Sequence, residues 1–317
     1  EADYHLNINL QMNYWLADVA NLSETMDPLT NWMVGLAKKG RVSAERLYGS
    51  DGWVSFLSTN PFGRTTPAGS TLQSQYVNSV LDPLAGAWMA MTLWRHWQFT
   101  HDIKFLRERA YPVLKGAAEF VNDYLVEQAD GSLAVVPSTS PENTYHVPGS
   151  DSTARLTVSS AYHVAISRAV LQAAAHAASL LEVDKEDQER FLAASERLPK
   201  IKVGVNGTIQ EWNEDYEEVE PGHRHLSHLI DLHPFDEINP DTPELFEAAK
   251  KTLQRRMEHG GGQTGWSRAW LISFFARLGD GESAHESVAK LIKSSTFTNL
   301  FGKGPPFQID GNFGYTA

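Results

Sequence analysis

Between Val158 and Leu181, small and apolar residues recur at helical spacing: Val164, Ala165, Val170, Leu171, Ala174, Ala175, Ala178 and Leu181. Residues three and four apart share one helix face, and so broad an apolar stripe must be buried against other elements. The pattern returns along the chain. Leu84 to Phe99 is rich in Ala, Met, Leu and Trp, and its Trp94 and Trp97 share a face expected to pack into a core. Asp102 reads as the N-cap of a helix that breaks or restarts near Pro112 and continues from Val113 to Val126. Pro243 at a first turn opens Glu244 to Glu258. Trp266 to Leu278 and Glu282 to Lys293 pair across Gly279-Asp280-Gly281. Strand signals are short, as at Ser132 to Val136.

Helix alternates with polar loop throughout, without a short repeat or a low-complexity tract. Roughly ten or eleven helical segments suit one all-α domain over residues 1–317. A ring of helical hairpins, the (α/α)6 barrel or six-hairpin toroid, has that number and gathers its loops at one mouth. A stack of helical repeats would need self-similarity at a fixed period, which is missing.

Composition narrows the partners. A net charge of −12 excludes nucleic acid as an expected ligand, because phosphates want a basic surface. No uninterrupted apolar run approaches the ~20 residues that span a bilayer, so no membrane partner is expected. With no cysteine, disulfide and thiolate chemistry is excluded. Asn21-Leu22-Ser23 and Asn206-Gly207-Thr208 are glycosylation tripeptides and lean toward an extracellular protein. The chain does not begin with Met, which leaves room for an upstream part.

Chemistry-bearing residues lie in the loops, where a rigid scaffold carries most catalytic groups. Glu142 sits in Pro137-Ser138-Thr139-Ser140-Pro141-Glu142-Asn143, and Asp310 in Gln308-Ile309-Asp310-Gly311-Asn312-Phe313-Gly314. Two carboxylates on separate loops are the minimum needed to split a glycosidic bond. Taken alone, each also fits a solvated turn residue. His5, Asn7 and Asn9 alternate, so in extended chain they would face one cavity; helix capping is the other use of such asparagines. His223-Arg224-His225-Leu226-Ser227-His228 is the densest cationic cluster. It lacks a His-Glu-x-x-His pattern, so contacts to ligand hydroxyls or a solvated loop are expected rather than a metal. The acidic run Glu211 to Glu220 lacks the spacing of a calcium loop and reads as a solvated face. Trp212, Trp266 and Trp270 adjoin polar loops and are candidates for ligand contact. Gly260 to Gly265 lacks the Lys-Ser/Thr of a phosphate loop and reads as a lead-in to the next helix. Neither a metal nor a cofactor is expected.

Six motifs together resemble glycoside hydrolase family 95. They are His-x-Asn-x-Asn with Gln-Met-Asn-Tyr-Trp (5–15), Ser-Pro-Glu-Asn (140–143) and Glu-Trp-x-Glu-Asp (211–215), then His-Arg-His-Leu-Ser-His (223–228), Thr-Gly-Trp-Ser-x-Ala-Trp (264–270) and Pro-Pro-Phe-Gln-Ile-Asp-Gly-Asn-Phe-Gly (305–314). The resemblance implies an (α/α)6 catalytic barrel and inverting exo-hydrolysis of terminal α-L-fucosyl residues, chiefly α-1,2-linked, from fucosylated oligosaccharides or polysaccharides. It implies that Glu142 is the general acid and that Asp310, through Asn7 and Asn9, activates the attacking water. His5, Arg224 and His225 would hold the sugar hydroxyls. Members acting on α-L-galactose tend to carry Thr at the position of His5. A β-sandwich before the barrel and a small β domain after it are usual in the family, so this chain reads as a barrel excised from a larger glycosidase. An α-L-galactosidase of the same family and a non-catalytic glycan-binding barrel are the alternatives. A lectin, though, has no need of an acid/base pair, and a lyase for uronates would want a basic cleft.

Overall fold

The computed structural model describes residues 3–67, 82–304 and 307–317; Pro305 and Pro306 of the last motif lie outside them. β1 (Tyr4–His5) turns into α1 (Asn9–Tyr14) and α2 (Leu16–Val19), followed by α3 (Met26–Tyr48), β2 (Ser58–Thr59) and α4 (Ala85–Thr100). Helical turns at Ile103–Phe105 and Leu106–Ala110 lead into α5 (Tyr111–Tyr124). Short strands follow: β3 (Leu125–Glu127) with β4 (Leu133–Val135), β5 (Ser138–Thr139) with β8 (Leu156–Thr157), and β6 (Tyr145–His146) with β7 (Thr153–Ala154), all antiparallel. Then come α6 (Ala161–Leu181), α7 (Lys185–Glu196), a 3-10 turn (Ser227–Leu229), α8 (Pro243–Glu258), α9 (Gly265–Arg277), α10 (Gly281–Ser295) and α11 (Asp310–Gly314).

These elements form the expected helical ring. On the inner wall α1 meets α4, α4 meets α6, and α6 meets the 3-10 turn. Trp270 Nε1 on α9 donates to the His233 carbonyl at 3.0 Å, linking the segment after that turn to α9. α9 meets α11, and α11 returns to α1. α3, α5, α7, α8 and α10 pack outside. Sequence explains the division. Inner helices are apolar nearly all round: α6 buries fourteen of its side chains, from Tyr162 to Leu181. Outer helices bury one face, as α8 does with Ala248, Ala249, Thr252 and Leu253 while Glu244, Glu247 and Lys250 face out. By length and hydropathy α6 could cross a bilayer, which the sequence reading missed, yet 67% of its apolar window is buried inside the protein. It is a core helix here.

Helix ends follow side-chain chemistry. Asp102 accepts from the Lys104 and Phe105 amides at 2.9 and 3.1 Å. The helix restarts near Pro112 as expected, the backbone staying helical across the junction. A wider π turn at Leu106–Ala110 precedes the proline, which falls in the first turn of α5 and accommodates its missing N–H. α6 starts at Ala161, later than Val158, because Leu156 and Thr157 pair with β5 and Ser160 caps the helix.

One threaded segment positions the N-terminal motif. Trp53 lies among α3, α4 and α5, with its Nε1 donating to the Val113 carbonyl at 2.9 Å. Three glycines make room for it. A Cβ on Gly86 would come 2.7 Å from the indole, on Gly116 2.8 Å and on Gly40 3.1 Å. From this anchor the chain runs to β2, which pairs with β1 in the register Tyr4↔Thr59 and His5↔Ser58. The Leu6 amide donates to the Leu57 carbonyl at 2.8 Å.

Gly86→Ala should therefore destabilise by about 1–3 kcal/mol through overpacking. Gly35→Ala on α3, where an added Cβ meets nothing within 4 Å, should be neutral or slightly stabilising. Urea denaturation of both variants checks this; equal midpoints would remove the packing argument.

Candidate active site

The His5-x-Asn7-x-Asn9 motif is not extended, as the alternation suggested. β1 stops at His5, residues 6–8 turn, and Asn9 begins α1. Gln11 Nε2 bonds the Leu6 carbonyl and closes the turn. Neither asparagine caps the helix; Ile8 holds the N-cap position without a side-chain bond. Instead Asn9 Nδ2 donates to Asp310 Oδ2, across 301 positions of sequence. Asn7 is buried, and its amide nitrogen and oxygen have no hydrogen-bond partner among the described residues.

Asp310 is the first residue of α11 and is buried. Its own Oδ1 accepts from the Gly311 amide at 2.7 Å. Glycines allow the close approach. A Cβ on Gly311 would come 2.7 Å from the Gly265 backbone at the start of α9, and one on Gly314 2.4 Å from Met12 of α1. Burial pushes the Asp310 carboxyl above its ordinary range, and the Asn9 amide, the Gly311 N–H and His5 oppose that only in part. Burial alone would lower the His5 imidazole. Asp3, with an oxygen 3.2 Å from Nδ1, outweighs burial together with Glu142 and Asp310, and His5 titrates above its usual value. His5 thus stands in the field of both carboxylates.

Glu142 meets the histidine and arginine cluster. Arg224 Nη2 bonds its Oε2, and His225 Nε2 lies 3.9 Å from its Oε1. The Trp266 ring packs on His225 at 4.5 Å between centroids. His223, His225 and His228 are buried rather than in a solvated loop, and burial first, then neighbouring cations, push each well below the ordinary histidine range. Electrically, the cluster is one guanidinium beside neutral imidazoles. No group of three or more His, Cys, Asp or Glu able to hold a metal occurs among the described residues. The structure therefore brings Asn9 to Asp310, Arg224 and His225 to Glu142, and His5 within the field of both carboxylates.

Two expectations are corrected here. Glu211 and Glu218 of the acidic run do not face solvent. Glu211 is buried, accepting from Ser140 Oγ at 2.6 Å, Asn143 Nδ2 at 3.0 Å and Arg256 Nη2 at 2.7 Å. Glu218 lies 3.3 Å from Arg256. The cause is Arg256 itself, on the buried face of α8, since a cation in the core demands anions. An arginine in register with Ala249, Thr252 and Leu253 was the signal available in the sequence. The second correction concerns Trp270, which is fully buried, stacks on Trp88 at 6.3 Å and belongs to the wall. Trp212 packs on Tyr145, and Trp266 packs on the candidate site residue His225. A cavity of about 650 Å³ opens near Trp88, Arg95, Arg168 and Arg277, and neither Glu142 nor Asp310 lines it.

The profile of the glycosyl hydrolase family 95 catalytic domain matches residues 1–317. Alpha-L-fucosidase 2 of Arabidopsis thaliana is 36% identical over 99% of this chain and 38% of its own length. Probable alpha-fucosidase A of Aspergillus niger is 32% identical over 98% of this chain and 40% of its own. The chain thus spans about two fifths of the length of the curated relatives it matches. A solved structure titled "Putative kojibiose phosphorylase from human microbiome" superposes with a TM-score of 0.56 at 11% identity, covering 89% of this chain and 44% of that one. That likeness concerns the fold.

Asp310 also has a consequence for stability. Its folded carboxyl titrates above its unfolded value, so the protonated form favours the folded state. This contribution is present at low pH and is lost as pH rises through the raised value. Asp310→Asn, which never charges, should melt higher than the parent at pH 8. The gap should close as pH falls below the carboxyl's raised value, read by thermal denaturation across pH. A gap that does not depend on pH would contradict the buried-charge argument.

Proposed function

The chain belongs to glycosyl hydrolase family 95, and from that membership we propose that it is the catalytic barrel of a larger glycosidase that releases terminal α-L-fucosyl residues, α-1,2-linked, from glycans with inversion. The observation that carries the reading is the Asn9–Asp310 hydrogen bond. An amide is a very poor base, but one bonded to an anion can orient a water and pass its proton on. Asp310, with Asn9 and Asn7, is the proposed base. Asn7 carries a buried donor and acceptor that no described residue satisfies, which suits a water or a sugar hydroxyl.

Glu142, on a separate loop, is the proposed acid that protonates the departing oxygen. Inversion places a water between base and sugar, with the two carboxyls about 6.5–9.5 Å apart. The Arg224 ion pair belongs to the carboxylate form of Glu142. Proton delivery needs the neutral form, so in this reading substrate hydroxyls draw the guanidinium away on binding. His5 and His225 complete the sugar contacts, His225 as a neutral imidazole able both to donate and to accept. The fucosidase names of the relatives support the choice of sugar. Asn21 and Asn206, the glycosylation candidates, are both exposed, in keeping with a secreted protein. Flanking domains are the proposed partners within the full-length protein.

Two experiments test this, in the complete enzyme. Glu142→Gln should slow 2′-fucosyllactose by ~10²–10⁴-fold yet spare α-L-fucosyl fluoride, whose leaving group needs no proton. Asp310→Asn should slow both substrates. Loss on both with Glu142→Gln would remove its acid role. His5→Thr should shift the preference from aryl α-L-fucoside toward aryl α-L-galactoside by roughly 10–200-fold. An unchanged ratio of the two rates would remove His5 from sugar selection.

A further inference from the structure

We infer that Glu211, held by Arg256, is the positioning residue of the acid loop, setting Glu142 against Arg224. The inference rests on the acid role of Glu142 proposed above. Ser140 and Asn143 flank Pro141-Glu142, and each oxygen of the Glu211 carboxylate takes one flank: Oε1 the Ser140 hydroxyl at 2.6 Å, Oε2 the Asn143 amide at 3.0 Å. The tetrapeptide closes as a turn, with the Asn143 amide on the Ser140 carbonyl at 3.0 Å. Glu211 is fixed in turn, because its own carbonyl accepts from the Ala161 amide at the start of α6 at 3.0 Å.

Arg256 ties this grip to the other wall of the site. Its Nη2 binds Glu211 at 2.7 Å, while its Nη1 donates to the Glu220 and Pro221 carbonyls at 3.2 and 3.3 Å. Those carbonyls lead directly into His223-Arg224-His225. One buried ion pair therefore registers the Glu142 loop and the Arg224 loop. His228 Nδ1, 3.7 Å from Glu211, adds a neutral neighbour rather than a second cation. Replacing a buried ion pair with apolar residues is often neutral or stabilising, so the pair is better explained by the geometry it imposes than by stability.

Glu211→Gln keeps the volume, weakens one arm and leaves Arg256 only Glu218, at 3.3 Å, as an anionic partner. In the full-length enzyme it should lower kcat on 2′-fucosyllactose by ~100-fold or more, leave KM little changed and keep α-L-fucosyl fluoride within ~10-fold. Added to Glu142→Gln it should cost nothing further on fucosyllactose, as expected of two residues in one unit. Ser140→Ala, which cuts one arm only, should give a smaller loss with the same substrate selectivity, and it decides the matter if Glu211→Gln does not fold. Equal loss on both substrates, or no loss, overturns the inference. If the parent cleaves neither substrate, the fucosidase reading fails. Crystal structures of the parent and of Ser140→Ala then decide the positioning claim. It stands if the Glu142–Arg224 contact is present in the first and displaced in the second, and falls if the contact is the same in both.

Discussion

The ring closes on a hydrogen bond between its first and last described helices, from the Asn9 amide to the buried Asp310 carboxylate. The juxtaposition of the N-terminal motif with Asp310 depends on that closure. Without it the N-terminal turn and α11 would be separate polar segments far apart in sequence. Two glycines make the contact possible, Gly311 against the start of α9 and Gly314 against Met12. The cost is a desolvated carboxyl, seen in the raised titration of Asp310. Strain or buried charge retained at a ligand-facing site is a common exchange of stability for function.

Charge is distributed with economy around this closure. Four histidines approach the site, but only His5, beside Asp3, is held toward its cationic form. His223, His225 and His228 are held neutral. Positive charge on this wall comes from Arg224 on Glu142, Arg256 on Glu211 and Arg255 on Glu218. The Arg224–Glu142 pair is partly exposed, and the Arg256–Glu211 pair is buried. That difference suits a pocket in which one pair yields to substrate and the other holds the frame.

Much of the fold could be read from periodicity. α4, α6, α8, α9 and α10 stand within a few residues of their expected bounds, because long apolar stripes, and for α8 a proline in its first turn, leave few alternatives. Tertiary pairing decided the rest. His5 to Asn9 alternates like a strand, yet Leu57 pairs with Leu6 and the chain then turns into α1. Glu211 to Glu220 looks solvated until Arg256 is seen on the buried face of α8. Trp270 adjoins a polar loop in sequence but faces Trp88 across the wall. For the site, Glu142 and Asp310 were ambiguous as isolated loop carboxylates; six motifs in one order made them candidates. That Asn9, not Asn7, reaches Asp310 follows from the turn at residues 6–8, which no local pattern announced.

The central claim is that Asp310 and Asn9 aim a water at the anomeric carbon from the side opposite Glu142. NMR of the sugar released in the first turnovers of 2′-fucosyllactose by the full-length enzyme tests it most directly, before mutarotation mixes the anomers. Attack by that water must give β-L-fucose first. Initial release of α-L-fucose would mean retention, and would contradict the water-activating role given to Asp310.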